Sequence, residues 1–294
     1  MHPAYTTAPF PLELPPHHPF PLYKYPGVAE ALRDRLAIRT PPAVDWGTLA
    51  LAHRPAYLMR LRQEGLQRQE ELRLGLRYTP ALLERARRSV GGTLAATQDA
   101  LIHGLGLNLA GGTHHAYPDR AEGYSLFNDV AVAVRWLRAQ GFRGRVLVVD
   151  LDAHQGNGTA VFFQDDPTVF TLSVHAANNY PRHKEQSDLD VPLPDRTPDA
   201  AYLEALEPAL EEAFAFRPEL VFYNAGVDVL AGDRFGRLAL SLEGVRARDQ
   251  AVLARVRQVG ARLVVVMGGG YNRNPDLTVA AHAQTYRLAL AALG

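Results

Sequence analysis

Cysteine is absent from the 294 residues. That excludes disulfide scaffolds, thiol nucleophiles and cysteine-type zinc sites. Lysine is almost absent: Lys24 and Lys184 are the only two among 31 basic residues. With so much Ala, Leu, Gly and Pro, this pattern reads as GC-rich codon usage in a bacterium and carries no functional signal. Neither sign of charge is in excess, since Lys plus Arg and Asp plus Glu each number 31. No basic field therefore points to nucleic acid or to an anionic membrane. Long hydrophobic runs are also missing; the longest aliphatic stretches resemble the five residues from Leu263 to Met267. No transmembrane span or signal-peptide core fits, and a cytoplasmic location is expected. There is no G-x-S-x-G, no H-E-x-x-H and no P-loop. Gly156-Asn-Gly158 lacks the third glycine of a dinucleotide fingerprint.

What remains is an ordinary globular composition, 47% hydrophobic and 21% charged, in a chain long enough to bury a large core unaided. The first 26 residues hold eight prolines with Tyr5, Phe10, Phe20, Tyr23 and Tyr25 among them. Rings in that number predict an ordered, irregular arm packed on the body. Helices are predicted over 28–38, 55–74 and 80–104, the last from the helical spacing of Leu82, Leu83, Ala86, Val90 and Leu94. From 105 onward short apolar strands (105–109, 145–149, 169–174, 220–223, 262–267) alternate with helices near 126–140, 199–215, 242–259 and 276–292. Thr197-Pro198-Asp199 reads as a cap and early proline for the second of these helices. All-apolar strands alternating with helices imply α/β architecture: an open parallel sheet with helices on both faces. No linker interrupts it, so 1–294 is expected to form a single catalytic domain.

The unusual residues fall on one edge of that sheet. His114 and His115 follow the first of these strands, Asp150, Asp152 and His154 the second, His175 the third, Asp228 the fourth, and Gly268-Gly269-Gly270-Tyr271 the fifth. Ligands of open α/β sheets bind outside the carboxyl ends of strands. Asp152 and His154, two apart, can share a metal, and Asp228 is the obvious third ligand. Three protein ligands leave an open position, which is a catalytic arrangement. A D-x-H pair alone reads more readily as a buried hydrogen-bonded couple than as a metal site; the other clusters on the same edge favour the metal. His114 and His115 suggest a general base with a general acid or electrostatic partner, with Asp150 and Asn157 nearest to orient them. The glycine run lets backbone pass close to the site and sets the Tyr271 hydroxyl where it can polarise a carbonyl.

These motifs resemble one family. G-G-T-H-H-A at 111–116, D-L-D-A-H-Q-G-N-G-T at 150–159, N-A-G-V-D at 224–228 and G-G-G-Y-N at 268–272 are similar, in order, to the histone deacetylases. His18-Pro-Phe-Pro-Leu-Tyr-Lys-Tyr25 and Asn179-Tyr-Pro181 resemble the class IV-like bacterial branch. The resemblance implies the arginase/deacetylase fold and hydrolysis of an acyl, typically acetyl, amide on a lysine-like amine of a peptide or small molecule. It implies Zn2+ (or Fe2+) held by Asp152, His154 and Asp228, with His114, His115 and Tyr271 catalytic. Asp150 and Asn157 stand behind the two histidines. It further implies an acyl-lysine channel lined by Gly123, Tyr124 and Phe235, and a structural K+ near Asp150 and Ser173. Two features depart from most of the family. Asn157 stands where an aspartate is usual, a feature shared with class IV members, and no acidic residue matches the one that grips the substrate backbone in larger members.

Two alternatives remain open on sequence. A binuclear ureohydrolase would need D-A-H-x-D, but Gly156 occupies the last position. A non-catalytic acyl-lysine or metabolite binding module would be expected to have lost a ligand or Tyr271, and neither is lost.

Overall fold

The computed structural model describes residues 1–294. Its centre is one eight-stranded sheet, parallel at every pairing. In chain order the elements are β1 (His2–Tyr5), α1 (Lys24–Leu32), β2 (Leu36–Arg39), α2 (Trp46–Leu49), α3 (Pro55–Gln63), α4 (Arg68–Leu74), α5 (Pro80–His103) and β3 (Leu105–Asn108). They continue as α6 (Asp129–Ala139), β4 (Val146–Asp150), α7 (Asn157–Phe163), β5 (Val169–Ala176), β6 (Leu189–Leu193), α8 (Asp199–Ala215), β7 (Leu220–Asn224), α9 (Leu242–Val259), β8 (Arg262–Val266) and α10 (Pro275–Leu293). Across the sheet the order is β2-β1-β3-β8-β7-β4-β5-β6. No helix is long and apolar enough to cross a membrane.

The central strands are apolar on both sides because both faces are covered. Successive side chains point to opposite faces. Leu147, Val149, Val221, Tyr223, Leu263 and Val265 therefore feed one core, beneath α1, α8, α9 and α10. Val146, Val148, Leu220, Phe222, Val264 and Val266 feed the other, beneath α5 and α6. A third cluster, including Leu12, Tyr57, Leu61, Leu74 and Phe127, joins α3 and α4 to the body.

The register places the site. Asn108 lies beside Val266, Val266 beside Asn224, Asn224 beside Asp150, and Asp150 beside Ser173. These strands end near one level, so the loops after β3, β4, β7 and β8 leave the sheet side by side.

Several elements differ from the sequence expectation. The predicted helix 28–38 is α1 followed by strand β2, whose Leu36 continues the i, i+4 spacing of Val28 and Leu32. Pairing with β1 makes 36–39 a strand. The arm over 1–26 is ordered but not wholly irregular, since His2–Tyr5 joins the sheet and Lys24–Pro26 opens α1. The helix expected over 55–74 divides into α3 and α4. Gly65 adopts φ 79°, and Gln67 with Glu70 starts α4 afresh through a capping box. Pro198, not Thr197, is the N-cap of α8; the Thr197 hydroxyl donates instead to the Pro194 carbonyl. Strand β6 is absent from the sequence expectation; it is an edge strand carrying Pro192, which such edges tolerate. His175 lies inside β5, with its Nδ1 3.0 Å from Ser173 Oγ.

Where α5 crosses β3 the backbones nearly touch. A methyl group at Gly106 would overlap the carbonyl of Ala96. Gly106→Ala should therefore destabilise the fold by about 1–3 kcal/mol, the usual range for overpacking. Urea unfolding followed by circular dichroism checks this; an unchanged midpoint would show that the two elements can separate freely.

Candidate active site

His114, His115, Gly123, Tyr124, Asp152, His154, Phe235 and Tyr271 line one cavity of about 550 Å³ at the carboxyl edge, with Asp228 bonded to His154 and with Asp150 and Asn157 behind the two histidines. Asp152, His154 and Asp228 come from the loops after β4 and β7. Their ligand atoms all lie within 4.8 Å of one another. His154 Nδ1 is 3.0 Å from Asp152 Oδ1 and 3.0 Å from Asp228 Oδ2. Burial pushes Asp228 up to about 7, reinforced by the charge of Asp152. Burial disfavours charge on His154, but its bonds to the two carboxylates outweigh this and lift it to about 10. Two buried carboxylates converging on one nitrogen form a site that requires positive charge at its centre. An O, N, O donor set with an open side fits a borderline divalent cation such as zinc or iron.

Backbone groups hold the set in place. Ala153 N–H donates to Asp228 Oδ1 at 2.8 Å and Gly269 N–H to Asp152 Oδ2 at 2.7 Å. A Cβ at Gly269 would strike both carboxylates, so the glycine run after β8 is required by close approach. Behind the loops, the fully buried Arg248 of α9 donates through Nη1 to the carbonyls of Leu151 (3.2 Å) and Gly226 (2.5 Å). Asp249 accepts from Arg248 Nε, from the Tyr223 hydroxyl and from Thr285. Neither Arg248 nor Asp249 lies in a motif, and only the packing of α9 on the sheet identifies them.

The two histidine rings pack at a tilt of 48°, with centroids 4.1 Å apart. His114 Nδ1 bonds Asp150 Oδ2 at 2.7 Å. Asn224 Nδ2 donates to Asp150 Oδ1 at 2.9 Å, which fixes that carboxylate from β7. Burial works against charge on His114, but Asp150 and Asp152 outweigh it and lift the imidazole to about 9. His115 behaves oppositely: burial, then the charges of His114 and His154, hold it well below the ordinary value. Its Nδ1 lies 2.6 Å from Asn157 Oδ1. The neighbouring histidines thus have opposed proton affinities, a pattern suited to one acid and one base. Behind Asn157 stand Glu122 and Tyr117, neither of which the sequence motifs contain, and the Tyr180 hydroxyl of the Asn179-Tyr-Pro181 motif donates to Glu122. The loop carrying the pair is anchored by Asp129, which accepts from the backbone N–H groups of Gly112 and Thr113.

Tyr271 is partly exposed at the cavity. Its backbone N–H donates to Asp233 Oδ2 at 2.7 Å, so a carboxylate outside the motifs sets its position. Burial, and then the charges of Asp152 and Asp228, keep its phenol well above the ordinary value and hence protonated. Tyr124 and Phe235 flank it, with ring centroids 6.1 and 5.0 Å from Tyr271. Gly123, at φ 52°, sits so close to the His115 ring that any Cβ would collide with it. Ser173 lies beside Asp150 in the sheet, with its hydroxyl engaged by His175.

A parallel α/β sheet with a His pair, an Asp-His-Asp set and a tyrosine at its carboxyl edge defines a metal-competent hydrolase-type site. A family model for the histone deacetylase domain matches residues 18–287, and the chain belongs to the histone deacetylase family. It is 40% identical to an uncharacterized protein of Picosynechococcus over 98% of this chain and 96% of that one. It is 32% identical to a histone deacetylase-like amidohydrolase of Pseudomonas aeruginosa, over 82% of this chain and 68% of that one. Its fold matches the crystal structure of an HDAC homologue complexed with SAHA at a TM-score of 0.81 and 24% identity, over 99% of this chain and 84% of that one.

Gly156 bears on metal number. A Cβ there would collide with Asp150 Oδ2, so this position has no room for a further carboxylate ligand. One divalent transition ion per chain is expected from metal analysis of the purified protein, and Asp228→Ala should lose it. Two transition ions per chain would overturn the mononuclear reading.

Proposed function

We propose that the chain is a zinc-dependent deacylase, one catalytic domain over 1–294, that removes an acetyl-sized acyl group from a lysine-like amine. The observation that carries this reading is the convergence of the His114–His115 pair, Asp152, His154 and Tyr271 on one cavity, with Asp228 completing the candidate ligand set beside them. A zinc ion held by Asp152, His154 and Asp228 supplies Lewis-acid polarisation of the acyl oxygen and lowers the pKa of a water; Fe2+ is a reasonable substitute. A structural K+ beside Asp150 and Ser173 belongs to the same reading.

The chain's own groups do the rest. His115, neutral because it is buried among positive neighbours, accepts the proton of the attacking water at Nε2, since Nδ1 is engaged by Asn157. His114, kept charged by Asp150 and Asp152, stabilises the negative charge that develops and assists protonation of the leaving amine. The Tyr271 hydroxyl donates to the acyl oxygen as it becomes an oxyanion. Gly123, Tyr124 and Phe235 enclose the alkyl stem of the substrate and exclude water.

The cavity mouth narrows the substrate class. Of the exposed lining residues, Arg73 and Arg234 are cationic, as is Arg237, which pairs with Asp195 at 2.9 Å, and Asp152, in the depth, is the only carboxylate lining the cavity. Such a rim repels a polycation. Acetyl-lysine peptides carrying acidic flanking residues should be cleaved with higher kcat/KM than acetylspermidine, with the difference shrinking at high salt. A preference for the polyamine would refute this.

Turnover of a fluorogenic acyl-lysine series by the zinc-loaded protein, and inhibition by a hydroxamate, test the deacylase assignment itself. No turnover with zinc, iron or cobalt would sink it. Tyr271→Phe should keep the metal and lower kcat roughly 100-fold or more, with a smaller change in KM, because the lost donor acts mainly on the transition state.

A further inference from the structure

Asn157 poses a problem that an aspartate would not. A carboxylate presents the same acceptor whichever way it turns, whereas an amide has one accepting and one donating end. His115 Nδ1 lies 2.6 Å from Asn157 Oδ1. With the oxygen facing the ring, Nδ1 carries the proton and Nε2 keeps its lone pair. Turned by 180°, the amide would present N–H to Nδ1, and the neutral ring would carry its proton on Nε2. The amide's orientation therefore decides which nitrogen is basic.

Three contacts bear on that orientation. Asn157 Nδ2 donates to Glu122 Oε1 at 3.1 Å and to the Tyr117 hydroxyl oxygen at 3.0 Å. The Tyr117 hydroxyl donates onward to Glu185 Oε1 at 2.9 Å. A hydroxyl can rotate and accept or donate, so Tyr117 alone does not discriminate. A carboxylate can only accept. Every group bonded to Glu122's side chain is a donor: Asn157 Nδ2, the Tyr180 hydroxyl at 2.6 Å, and Arg120 Nε at 3.4 Å. Asn157 is fully buried, and the Glu122 side chain is only 12% exposed. A flipped amide would set two acceptors against each other with little water to relieve them.

We infer that Glu122 is the positioning residue that makes Asn157 a working partner for His115. The negative charge bonded directly to the amide sits one residue further back from His115, on Glu122, while Glu185 is reached only through the Tyr117 hydroxyl. Asn157 and Glu122 are then a matched pair, because an aspartate at 157 would face the Glu122 carboxylate across about the same 3.1 Å. Glu122 also couples this pair to the cavity mouth. The Tyr180 hydroxyl that it holds belongs to the ring packed edge-on against His115, with centroids 5.1 Å apart. This inference rests on His115 being the proton acceptor in the proposed hydrolysis.

The test is an exchange of acid and amide, read two ways in the full-length zinc-loaded protein. Nitrogen-15 NMR of the histidine rings reports the His115 tautomer without any turnover. Wild type should show the Nδ1–H form. Glu122→Leu, which removes the acceptor, should lose that preference and lower kcat roughly tenfold or more, with KM changed far less. Asn157→Asp alone should also lower kcat, through the carboxylate contact. The double variant Glu122→Gln/Asn157→Asp should recover most of what Asn157→Asp loses, since the glutamine can donate to the new carboxylate. Circular dichroism and thermal unfolding confirm that each variant is folded. An unchanged tautomer in Glu122→Leu, or a double variant no better than Asn157→Asp, overturns the inference. Absent turnover in wild type would instead refute the deacylase reading, while the tautomer measurement would still decide the role of Glu122.

Discussion

Three carboxylates, those of Asp150, Asp152 and Asp228, are buried together at one end of the sheet with at most 3% of each residue exposed. Buried charge of one sign is strongly unfavourable unless it is compensated at close range. Much of the local structure supplies that compensation. His114 bonds Asp150, and His154 bridges Asp152 and Asp228. Backbone N–H groups from Ala153 and Gly269 reach the remaining oxygens. Gly269 follows from the same constraint, because a Cβ there would strike the Asp152 and Asp228 carboxylates.

Compensation of this kind holds only if the loops cannot drift. Arg248 provides the anchor, being fully buried and donating to carbonyls in both loops that carry the candidate ligands. Asp249, Tyr223 and Thr285 close the network around it. Arginine suits this place because its guanidinium presents several fixed donors and keeps its charge when buried. The network joins α9, α10 and β7 to the loop after β4, so the site is braced from the helical layer behind the sheet as well as from the strands.

The two histidines show how one environment produces two opposite groups. Both are buried, and their rings are in contact. His114 faces carboxylates and holds its proton; His115 faces an amide and positive neighbours and does not. The asymmetry follows from what stands behind each ring, Asp150 in one case and Asn157 backed by Glu122 in the other.

Much of this was legible in the residue order. Apolar runs of four to six residues alternating with helical periodicity define a parallel sheet with covered faces, and the helices 199–215 and 242–259 match α8 and α9 end for end. Local motifs named the histidines, the three candidate ligands, Tyr271, and the partners Asp150 and Asn157, since side chains two to seven residues apart at a strand end share one edge by chain geometry alone. Elements that depend on partners distant in sequence were not legible. Strand β2 exists because β1 pairs with it, and β6 because β5 does. The same holds at the site: Glu122, Asp233 and Arg248 stand outside the motifs and reach it only through the packing of loops and helices. Residue order by itself determined which chemical groups the carboxyl edge carries. Tertiary structure alone decided their protonation and orientation, because those depend on burial and on hydrogen-bond partners that the fold brings in from elsewhere in the chain.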